Sequence, residues 1–395
     1  MHATPEPDRA PALQFILKVA SRCNLSCSYC YVYNKGDESW RDRPSFMSDE
    51  IAAAALRRIR EHCGRSAQGA VRITFHGGEP CLAGPARFAA WCDAARTALG
   101  DACELYLSMQ TNGTLLDDEW IRVLRTQQVS VGLSLDGPAE VHDRFRVDHA
   151  GRGSHRAARH GLELLRDGGV PFQVLSVIQL GASGLAVHRH LLGLGATRIH
   201  YLLPDFTHDT IEPVRRLFGA TPCADFLLPI LDEWWASGSR EVRIGLFWNM
   251  ARVILGGDSE LDMLGNQPYR YVFVETGGDI EGLDVLRVCG PSFATTGLNV
   301  LRDDFVAIYD RSEVQRKLIF EGPTLPSPCR ACPEAETCGG GYLPHRYAAP
   351  RGFDNATVWC ADMLLLMGRM RRLLDVDREE TRQRRTVLEE LHRDA

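Results

Sequence analysis

Six short apolar segments alternate with amphipathic stretches over residues 15–203, and this alternation constrains the fold more than any other feature. The segments are rich in β-branched and aromatic residues, as buried strands are, while the stretches between them have helical periodicity. Such alternation predicts parallel βα units. The predicted strands cover 15–20, 71–75, 104–109, 129–135, 172–179 and 198–203, and the clearest helices cover 49–62, 85–98, 117–126, 154–167 and 184–193.

Six units rather than eight favour an α/β protein built on an open, partial (β/α)6 barrel, although a doubly wound open sheet fits the same alternation. The next segment contains an aromatic-rich helix at 224–238 and a hairpin at 271–286, in which two consecutive glycines signal the turn. A loop-rich segment follows, and the chain reads as helix from 361 onward. We therefore divide the chain into 13–205, 206–288, 289–372 and 373–395.

The overall charge excludes some classes of partner. The chain has 45 basic and 51 acidic residues, a balance that argues against a nucleic-acid-binding surface. No run approaches the ~20 apolar residues of a membrane span, and the N-terminal residues lack the basic-then-apolar pattern of a signal peptide. We expect a cytoplasmic protein without a membrane partner. In that compartment, its thirteen cysteines favour metal binding over disulfides.

Three of these cysteines follow the first predicted strand in the pattern C-x3-C-x2-C: Cys23, Cys27 and Cys30. A 4Fe–4S cluster is normally held by four thiolates, so three would leave one iron without a protein ligand. An open coordination position is typical of a catalytic metal site. A zinc knuckle or chance clustering is the alternative interpretation.

A second cysteine cluster lies near the C-terminus, at Cys329, Cys332, Cys338 and Cys360. Four thiolates fully ligate a 4Fe–4S cluster and leave no open iron. Four cysteines also suit tetrahedral zinc, so this spacing alone leaves both metals open.

Polar and glycine-rich motifs follow the second, third and fourth predicted strands: residues 76–80 (HGGEP), 110–113 (QTNG) and 134–137 (SLDG). Enzymes with βα barrels build their sites at the carboxyl ends of the strands. Turn chemistry alone would also place Gly, Asn and Asp there. The motifs gain weight from occurring together with the cysteine triad.

With Tyr29 before its third cysteine, the first motif reads C-x3-C-x-Φ-C and resembles that of the radical S-adenosylmethionine (SAM) enzymes. The resemblance implies a radical SAM partial barrel in which SAM chelates the open iron and is cleaved to a 5′-deoxyadenosyl radical. Glycines permit close backbone approach to a ligand, a carboxylate or carbonyl accepts from an ammonium, and a guanidinium fork suits a carboxylate. The resemblance thus implies SAM contacts at Tyr29, Gly77, Gly78, Glu79, Ser134 and Arg146, and weaker ones at Gln110 and Asn112.

The second cysteine cluster resembles the SPASM extension of peptide-modifying radical SAM enzymes. That pattern usually holds two auxiliary clusters, but this chain has Leu283 and Tyr342 where two further cysteines belong, and no cysteine between 224 and 288. We expect one auxiliary 4Fe–4S cluster, and thus about eight irons per chain, because each cluster holds four.

Asp284 follows Leu283 directly. In the similar sulfatase-maturing enzymes, an aspartate at the matching position acts as a general base, which makes Asp284 the catalytic candidate. In a closed site its pKa would be raised toward neutrality, which suits proton abstraction. A hairpin-end aspartate without a catalytic role is equally compatible with the sequence.

The chain as a whole resembles the cyclophane-forming FxsB-type radical SAM/SPASM peptide maturases, most clearly over 15–34, 275–287, 338–347 and 352–363. This implies a ribosomal precursor peptide as substrate and an electron donor of flavodoxin or ferredoxin type. A Cβ hydrogen would be abstracted, and the carbon radical would join a nearby aromatic ring. The alternatives are a formylglycine-generating sulfatase maturase, a thioether-forming maturase, and a non-catalytic iron–sulfur scaffold or sensor.

Overall fold

A computed structural model describes residues 14–66 and 69–393, so positions 13, 394 and 395 of the predicted domain bounds lie outside the described residues. One ten-stranded sheet organises this part of the chain, in the order β10-β9-β8-β1-β2-β3-β4-β5-β6-β7. The strands are β1 Gln14–Ala20, β2 Ala70–Gly77, β3 Glu104–Thr111, β4 Ser130–Ser134, β5 Phe172–Val177, β6 Arg198–Leu202, β7 Arg243–Ile244, β8 Tyr271–Val274, β9 Asp279–Glu281 and β10 Thr295–Asn299.

The strand order decides between the two folds that the sequence left open. In a doubly wound sheet the order reverses at a middle strand. Here β1 to β6 are parallel and each lies beside its neighbour in sequence. The prediction of a partial (β/α)6 barrel is confirmed, and the sheet ends at β7 on one side and at β10 on the other.

The barrel strands alternate in character, although their sequences read as almost continuously apolar. Phe15, Leu17 and Val19 of β1 join the hydrophobic core. On the opposite face the side chain of Gln14 donates to Thr74 Oγ1 at 2.8 Å, and that hydroxyl lies 2.8 Å from Ser108 Oγ. Since successive side chains of a strand point to opposite faces, one face packs on helices while the inner face is polar and half-buried.

The predicted hairpin is confirmed as β8 and β9, which pair antiparallel. Gly278 turns the chain at a φ of +87°, and a Cβ there would lie 2.9 Å from Ile51 Cδ1. Strand β8 also pairs in parallel with β1 and so extends the barrel sheet. Asp284, just after β9, is therefore carried toward the inside of the barrel.

The C-terminal residues predicted as one helix form two, α13 and α14, which are separated where Asp375 adopts a φ of +54°. Trp359, just before α13, is buried and donates its indole N–H to Pro204 O at 3.0 Å, which ties the second cysteine cluster to the end of β6. The helices are α1 Asp49–Ser66, α2 Pro85–Leu99, α3 Asp118–Thr126, α4 Ala139–His142, α5 His155–Asp167, α6 Gly184–Gly193, α7 Glu212–Phe218, α8 Pro222–Ser237, α9 Gly245–Ile254, α10 Ile308–Arg311, α11 Glu313–Arg316, α12 Ala335–Cys338, α13 Cys360–Leu374 and α14 Arg378–Arg393. Among the described helices, none has the length and apolarity needed to cross a bilayer.

Candidate active site

The first three cysteines lie in one tight loop after β1. The N–H of Cys30 donates to Cys27 O at 3.0 Å, and the N–H of Asn34 donates to Cys30 O at 2.9 Å. Burial raises the pKa of all three thiols, and with the nearby Glu79, Cys27 and Cys30 it raises the pKa of Cys23 to about 12. The loop thus gathers three thiols whose ionisation needs a neighbouring cation, which a bound metal provides.

Asn112 supports this loop from the end of β3. Its side-chain amide donates to Asn24 Oδ1 at 2.9 Å and approaches Cys23 Sγ at 3.8 Å. The structure therefore places Asn112, which the sequence offered as a weak SAM contact, against the cysteine loop.

Gly77 and Gly78 lie where the end of β2 meets the chain that leads into Cys23. A Cβ on Gly77 would lie 2.1 Å from Ala20 O, and one on Gly78 would lie 2.3 Å from Arg22 O. Backbone oxygens cannot move aside for a side chain, so both positions require glycine. A cleft also borders both glycines.

Glu79 is fully buried and its carboxylate is committed to the protein. Oε1 accepts from Cys81 N–H at 2.9 Å and from the Thr111 hydroxyl at 2.7 Å, and Oε2 accepts from Asn112 N–H at 2.8 Å. This carboxylate thus bridges the β2 and β3 loops. Acceptance from the SAM ammonium, by Glu79 or by a backbone carbonyl of the motif, stays a prediction.

Arg146 and Tyr29 meet at Asp136, a residue to which the sequence analysis gave no role. The Tyr29 hydroxyl and Arg146 Nε both donate to Asp136 Oδ2, the latter at 3.0 Å. The guanidinium also lies 5.3 Å from the centre of the Tyr29 ring. Since Asp136 engages Nε alone, the terminal nitrogens of Arg146 are left for a ligand, but its charge is already balanced.

Gln110 and Ser134 lie together on the inner face of the barrel, where Gln110 Nε2 donates to Ser134 Oγ at 3.0 Å. A Cβ on Gly132 of β4 would lie 2.1 Å from Gln110 Oε1, so this glycine allows the amide to lie flat across the strand. The structure brings these two predicted SAM contacts together.

Asp284 is wholly buried and paired with a lysine. Its Oδ2 lies 2.7 Å from Lys18 Nζ and accepts from the Tyr31 hydroxyl at 2.8 Å. Burial alone would raise the pKa of Asp284, but the ion pair with Lys18 and the charge of Arg287 outweigh burial and hold the pKa below its usual range. The predicted rise of this pKa toward neutrality was wrong, because the sequence pattern did not reveal the lysine.

Lys18 belongs to a buried charge network at the ends of β1, β8 and β9. Lys18 Nζ lies 2.8 Å from Glu275 Oε1, and Arg287 Nη2 lies 2.9 Å from the same oxygen. Such mutual pairing keeps buried carboxylates ionised. The network contains the cations Lys18, Arg43 and Arg287 and the anions Asp37, Glu275, Glu281 and Asp284.

His76 stands beside Lys18 in the β1–β2 register. Burial lowers its pKa to about 4, so the imidazole is neutral at pH 7. Its Nδ1 and the Oδ1 of Asp284 are both buried without a hydrogen-bond partner among the described residues. The sequence analysis had assigned no role to either Lys18 or His76. A charged residue in an otherwise apolar strand was the available signal for Lys18.

The second cysteine cluster surrounds a cavity, which Glu334, Thr357 and Leu364 also line. Short turns hold the thiols in place: Cys332 N–H donates to Cys329 O, Cys338 N–H to Glu334 O and Cys360 N–H to Thr357 O. The four cysteines that converge on this cavity are Cys329, Cys332, Cys338 and Cys360.

The two positions where a further auxiliary cluster would have cysteines are filled with packed side chains. Leu283 is in the hydrophobic core, and the ring of Tyr342 lies edge-on to that of His345 at 5.1 Å. Cys289 is half-buried with its Sγ 3.8 Å from Pro344 O. All thirteen cysteines are free thiols.

The arrangement of the thiols fits a cluster better than a single ion. A tetrahedral zinc site draws all four sulfurs to about 2.3 Å from one point. Within residues 14–66 and 69–393, no three His, Cys, Asp or Glu side chains converge closely enough to hold one ion. The second site instead has its four cysteines around a cavity. An iron–sulfur cluster requires such an arrangement, because it occupies space between its ligands.

Comparison with known proteins assigns the barrel. Residues 17–183 match the model of the Radical SAM superfamily. These residues form a radical SAM domain. The cysteine-type anaerobic sulfatase-maturating enzyme of Clostridium perfringens is 34% identical over 169 residues, which are 42% of this chain and 45% of that enzyme. This match therefore spans less than half the length of the relative.

Solved structures extend the likeness in fold beyond the radical SAM domain. The structure of anSMEcpe with bound AdoMet and Cp18Cys peptide has a TM-score of 0.77 at 23% identity and covers 92% of this chain and 98% of that one. Streptococcus suis SuiB bound to its precursor peptide SuiA has a TM-score of 0.56 at 13% identity, with 89% and 76% covered. At these identities the likeness concerns the fold alone.

Proposed function

We propose that this chain is a radical SAM maturase that oxidises a side chain of a ribosomally made precursor peptide and closes a carbon–carbon crosslink to an aromatic ring. The observation that carries the proposal is the 2.8 Å hydrogen bond from Tyr31 to Asp284. Tyr31 is the residue after Cys30. A buried carboxylate thus lies within one side chain's length of the loop that would hold the radical-generating cluster.

The cysteines fit two iron–sulfur groups, with Cys23, Cys27 and Cys30 holding the first and the C-terminal four holding an auxiliary cluster. When bound, the first cluster and SAM supply a primary carbon radical that removes a hydrogen atom from the substrate, and the auxiliary cluster supplies a one-electron carrier. Around SAM, the backbone at Gly77 and Gly78 allows close approach, and the terminal nitrogens of Arg146 suit its carboxylate.

Asp284 is the group that takes the substrate proton. Its Oδ1 is buried and unpartnered among the described residues, and Lys18 keeps the carboxylate ionised. A carboxylate with a low pKa is a weak base. Such a base suffices for an oxidised ring, which is strongly acidic because it regains aromaticity on losing its proton. An alcohol or thiol substrate would be better matched by a base with a pKa near neutrality.

The number of auxiliary cluster sites also supports the crosslinking reaction. The described residues form one four-cysteine cavity, and Leu283 and Tyr342 pack where ligands of a further cluster would lie. The resemblance to sulfatase maturases would imply two auxiliary clusters. One auxiliary cluster therefore favours the crosslinking maturase.

Formylglycine formation in a sulfatase is the second candidate, and a specific observation favours it. This chain is 34% identical over 169 residues to the C. perfringens sulfatase-maturating enzyme, and the anSMEcpe fold covers 92% of the chain. The two reactions remove the same number of electrons from a side chain, so only the product separates them.

The test is mass spectrometry of a short peptide encoded beside this gene, co-expressed with the enzyme and a flavodoxin or ferredoxin reductant system. We expect loss of two hydrogens and no fragmentation between the crosslinked residues. Formylglycine from serine also loses two hydrogens, but it reacts with a hydrazide and leaves fragmentation intact. A hydrazide-reactive product would refute the crosslink.

Variants assign the residues in the same assay. Cys30→Ala should abolish both product and 5′-deoxyadenosine. Asp284→Asn should still form 5′-deoxyadenosine but little product, because the hydrogen atom is removed and the proton is not. Asp279→Asn is the matched control, since this aspartate lies on the same hairpin and is exposed. Full turnover by Asp284→Asn would remove Asp284 from the mechanism.

A further inference from the structure

Arg346 is a fully buried cation that is hydrogen-bonded to the segment following Cys338. Its guanidinium donates only to backbone carbonyls: Nε to Gly341 O at 2.8 Å, Nη1 to Thr324 O at 3.0 Å and Nη2 to Gly339 O at 2.6 Å. Burial lowers the pKa of Arg346, but an arginine keeps its proton in proteins. A full positive charge therefore lies in the protein interior.

No carboxylate of the described residues pairs with Arg346, which sets it apart from the other buried cations. Lys18 pairs with Asp284, Arg146 with Asp136, Arg287 with Glu281 and Arg371 with Glu334. Glu334, the carboxylate that lines the cluster cavity, is already bound by both Arg371 and Arg378. Buried charges are costly unless paired, so the charge of Arg346 requires another partner.

The chain is shaped around this guanidinium. Gly339, Gly340 and Gly341 adopt φ values of +65°, +85° and +79°, which residues with a side chain rarely adopt. A Cβ on Gly340 would lie 2.6 Å from Pro326 Cδ and 3.2 Å from Arg346 Cζ. The three consecutive glycines after Cys338 thus let the backbone pack closely around the guanidinium. This explains the run of glycines in the CGGGY segment.

The negative groups that can balance the charge of Arg346 are the thiolates of the auxiliary cysteines. Arg346 Nη2 donates to the carbonyl of Gly339, the residue after Cys338, and Gly340, which packs against the guanidinium, lines the cavity that the four cysteines surround. Four thiolates around an oxidised 4Fe–4S core, whose own charge is 2+, carry a net charge of 2−. Reduction by one electron makes it 3−, so a nearby fixed cation stabilises the reduced form more than the oxidised form.

We infer that Arg346 is the counter-ion of the auxiliary cluster and raises its reduction potential, which prepares the cluster to accept the electron that the substrate releases. This rests on the proposed function for the presence of the cluster. Net charge and surrounding hydrogen bonds are known determinants of iron–sulfur potentials. The direction follows from the sign of the charge, and its effect is large because Arg346 is fully buried and no carboxylate of the described residues pairs with it.

The test is a redox titration followed by electron paramagnetic resonance in the Cys23→Ala/Cys27→Ala/Cys30→Ala background, in which the auxiliary cluster is the only one. Adding Arg346→Gln should lower the potential so that, at the parent's midpoint, the reduced-to-oxidised ratio falls at least tenfold, a shift of about 59 mV for one electron. Arg330→Gln is the matched control: Arg330 follows Cys329 but is exposed, and should shift the potential much less.

Arg346→Lys separates charge from shape. It keeps the positive charge and loses the planar fork, so it should retain iron and a potential close to the parent's. If Arg346→Gln loses its iron, retention of iron and potential by Arg346→Lys supports the charge role, whereas loss in both variants overturns it. An unchanged potential in an iron-replete Arg346→Gln protein also overturns it. A parent background without about four irons per chain would instead refute the auxiliary cluster itself.

Discussion

Replacing Lys18 by methionine tests whether Asp284 owes its ionisation to one buried cation. Lys18 is 4% exposed, and its Nζ lies 2.7 Å from Asp284 and 2.8 Å from Glu275. Glu275 would keep Arg43 and Arg287 as partners. Asp284 has no other direct ion pair among the described residues, so the variant leaves one buried carboxylate uncompensated.

The expected loss in the free energy of unfolding is about 3–5 kcal/mol, the usual cost of removing one partner of a buried pair. That is a large share of the roughly 5–15 kcal/mol of a typical domain. Methionine keeps most of the apolar stem, so the loss is mainly electrostatic. The double variant Lys18→Met/Asp284→Asn removes the stranded charge and should recover most of the loss.

The pH dependence has a definite sign. In the native protein the folded pKa of Asp284 is depressed, so its stabilising contribution is present above the unfolded pKa of about 3.9 and is lost as pH falls through the folded pKa. In Lys18→Met, burial acts against a weaker positive field and raises the pKa of Asp284. The folded variant then binds a proton more readily than its unfolded chain, so its deficit should shrink as pH falls.

The assay is anaerobic urea unfolding of the reconstituted protein at about pH 8 and about pH 5.5, followed by circular dichroism. Lys317→Met is the control, because Lys317 pairs with Glu313 at 2.6 Å on a helix surface, where such pairs contribute about 0.5 kcal/mol or less. A deficit of Lys18→Met that equals the control, or that does not depend on pH, would refute the reasoning. So would a double variant as unstable as the single one.

Three further perturbations test the architecture. Gly78→Ala should fail to load the SAM-binding cluster, seen as about four irons per chain rather than eight, because its Cβ would lie 2.3 Å from Arg22 O. Cys332→Ala should also fall to about four irons but still form 5′-deoxyadenosine from SAM, and loss of that activity would contradict two independent sites. Trp359→Ala should lower the free energy of unfolding by about 3–5 kcal/mol in a urea titration, because it empties a buried site and removes the hydrogen bond to Pro204; a change below 1 kcal/mol would contradict this packing.

The elements of the barrel could be read from local pattern. The predicted and observed strands and helices agree to within a few residues, since hydrophobic period and turn residues act over one or two turns of chain. The choice between a partial barrel and a doubly wound sheet could not be read in this way. It depends on which strands hydrogen-bond, and β8 joins β1 across more than two hundred residues.

For the candidate site, too, the residues could be read from the sequence, but the partners that set their chemistry could not. The two cysteine spacings, the GGEP segment and Asp284 are visible as residues. Their surroundings are not visible in the sequence. The Glu79 carboxylate accepts hydrogen bonds from Thr111 and Asn112, and the charge of Arg146 is balanced by Asp136. These partners come from neighbouring strand ends, and the sequence does not say which side chains turn toward one another.

By itself, the sequence determined which metal-binding and charged groups this protein carries and the local segments that hold them. Only the tertiary structure decided their charge state. Asp284 was expected to have a raised pKa, but the fold places Tyr31, 253 positions earlier, and Lys18 directly on its carboxylate. The physical reason is that burial and ion pairing shift a pKa in opposite directions, and which of them prevails depends on distances of a few ångströms between distant parts of the chain.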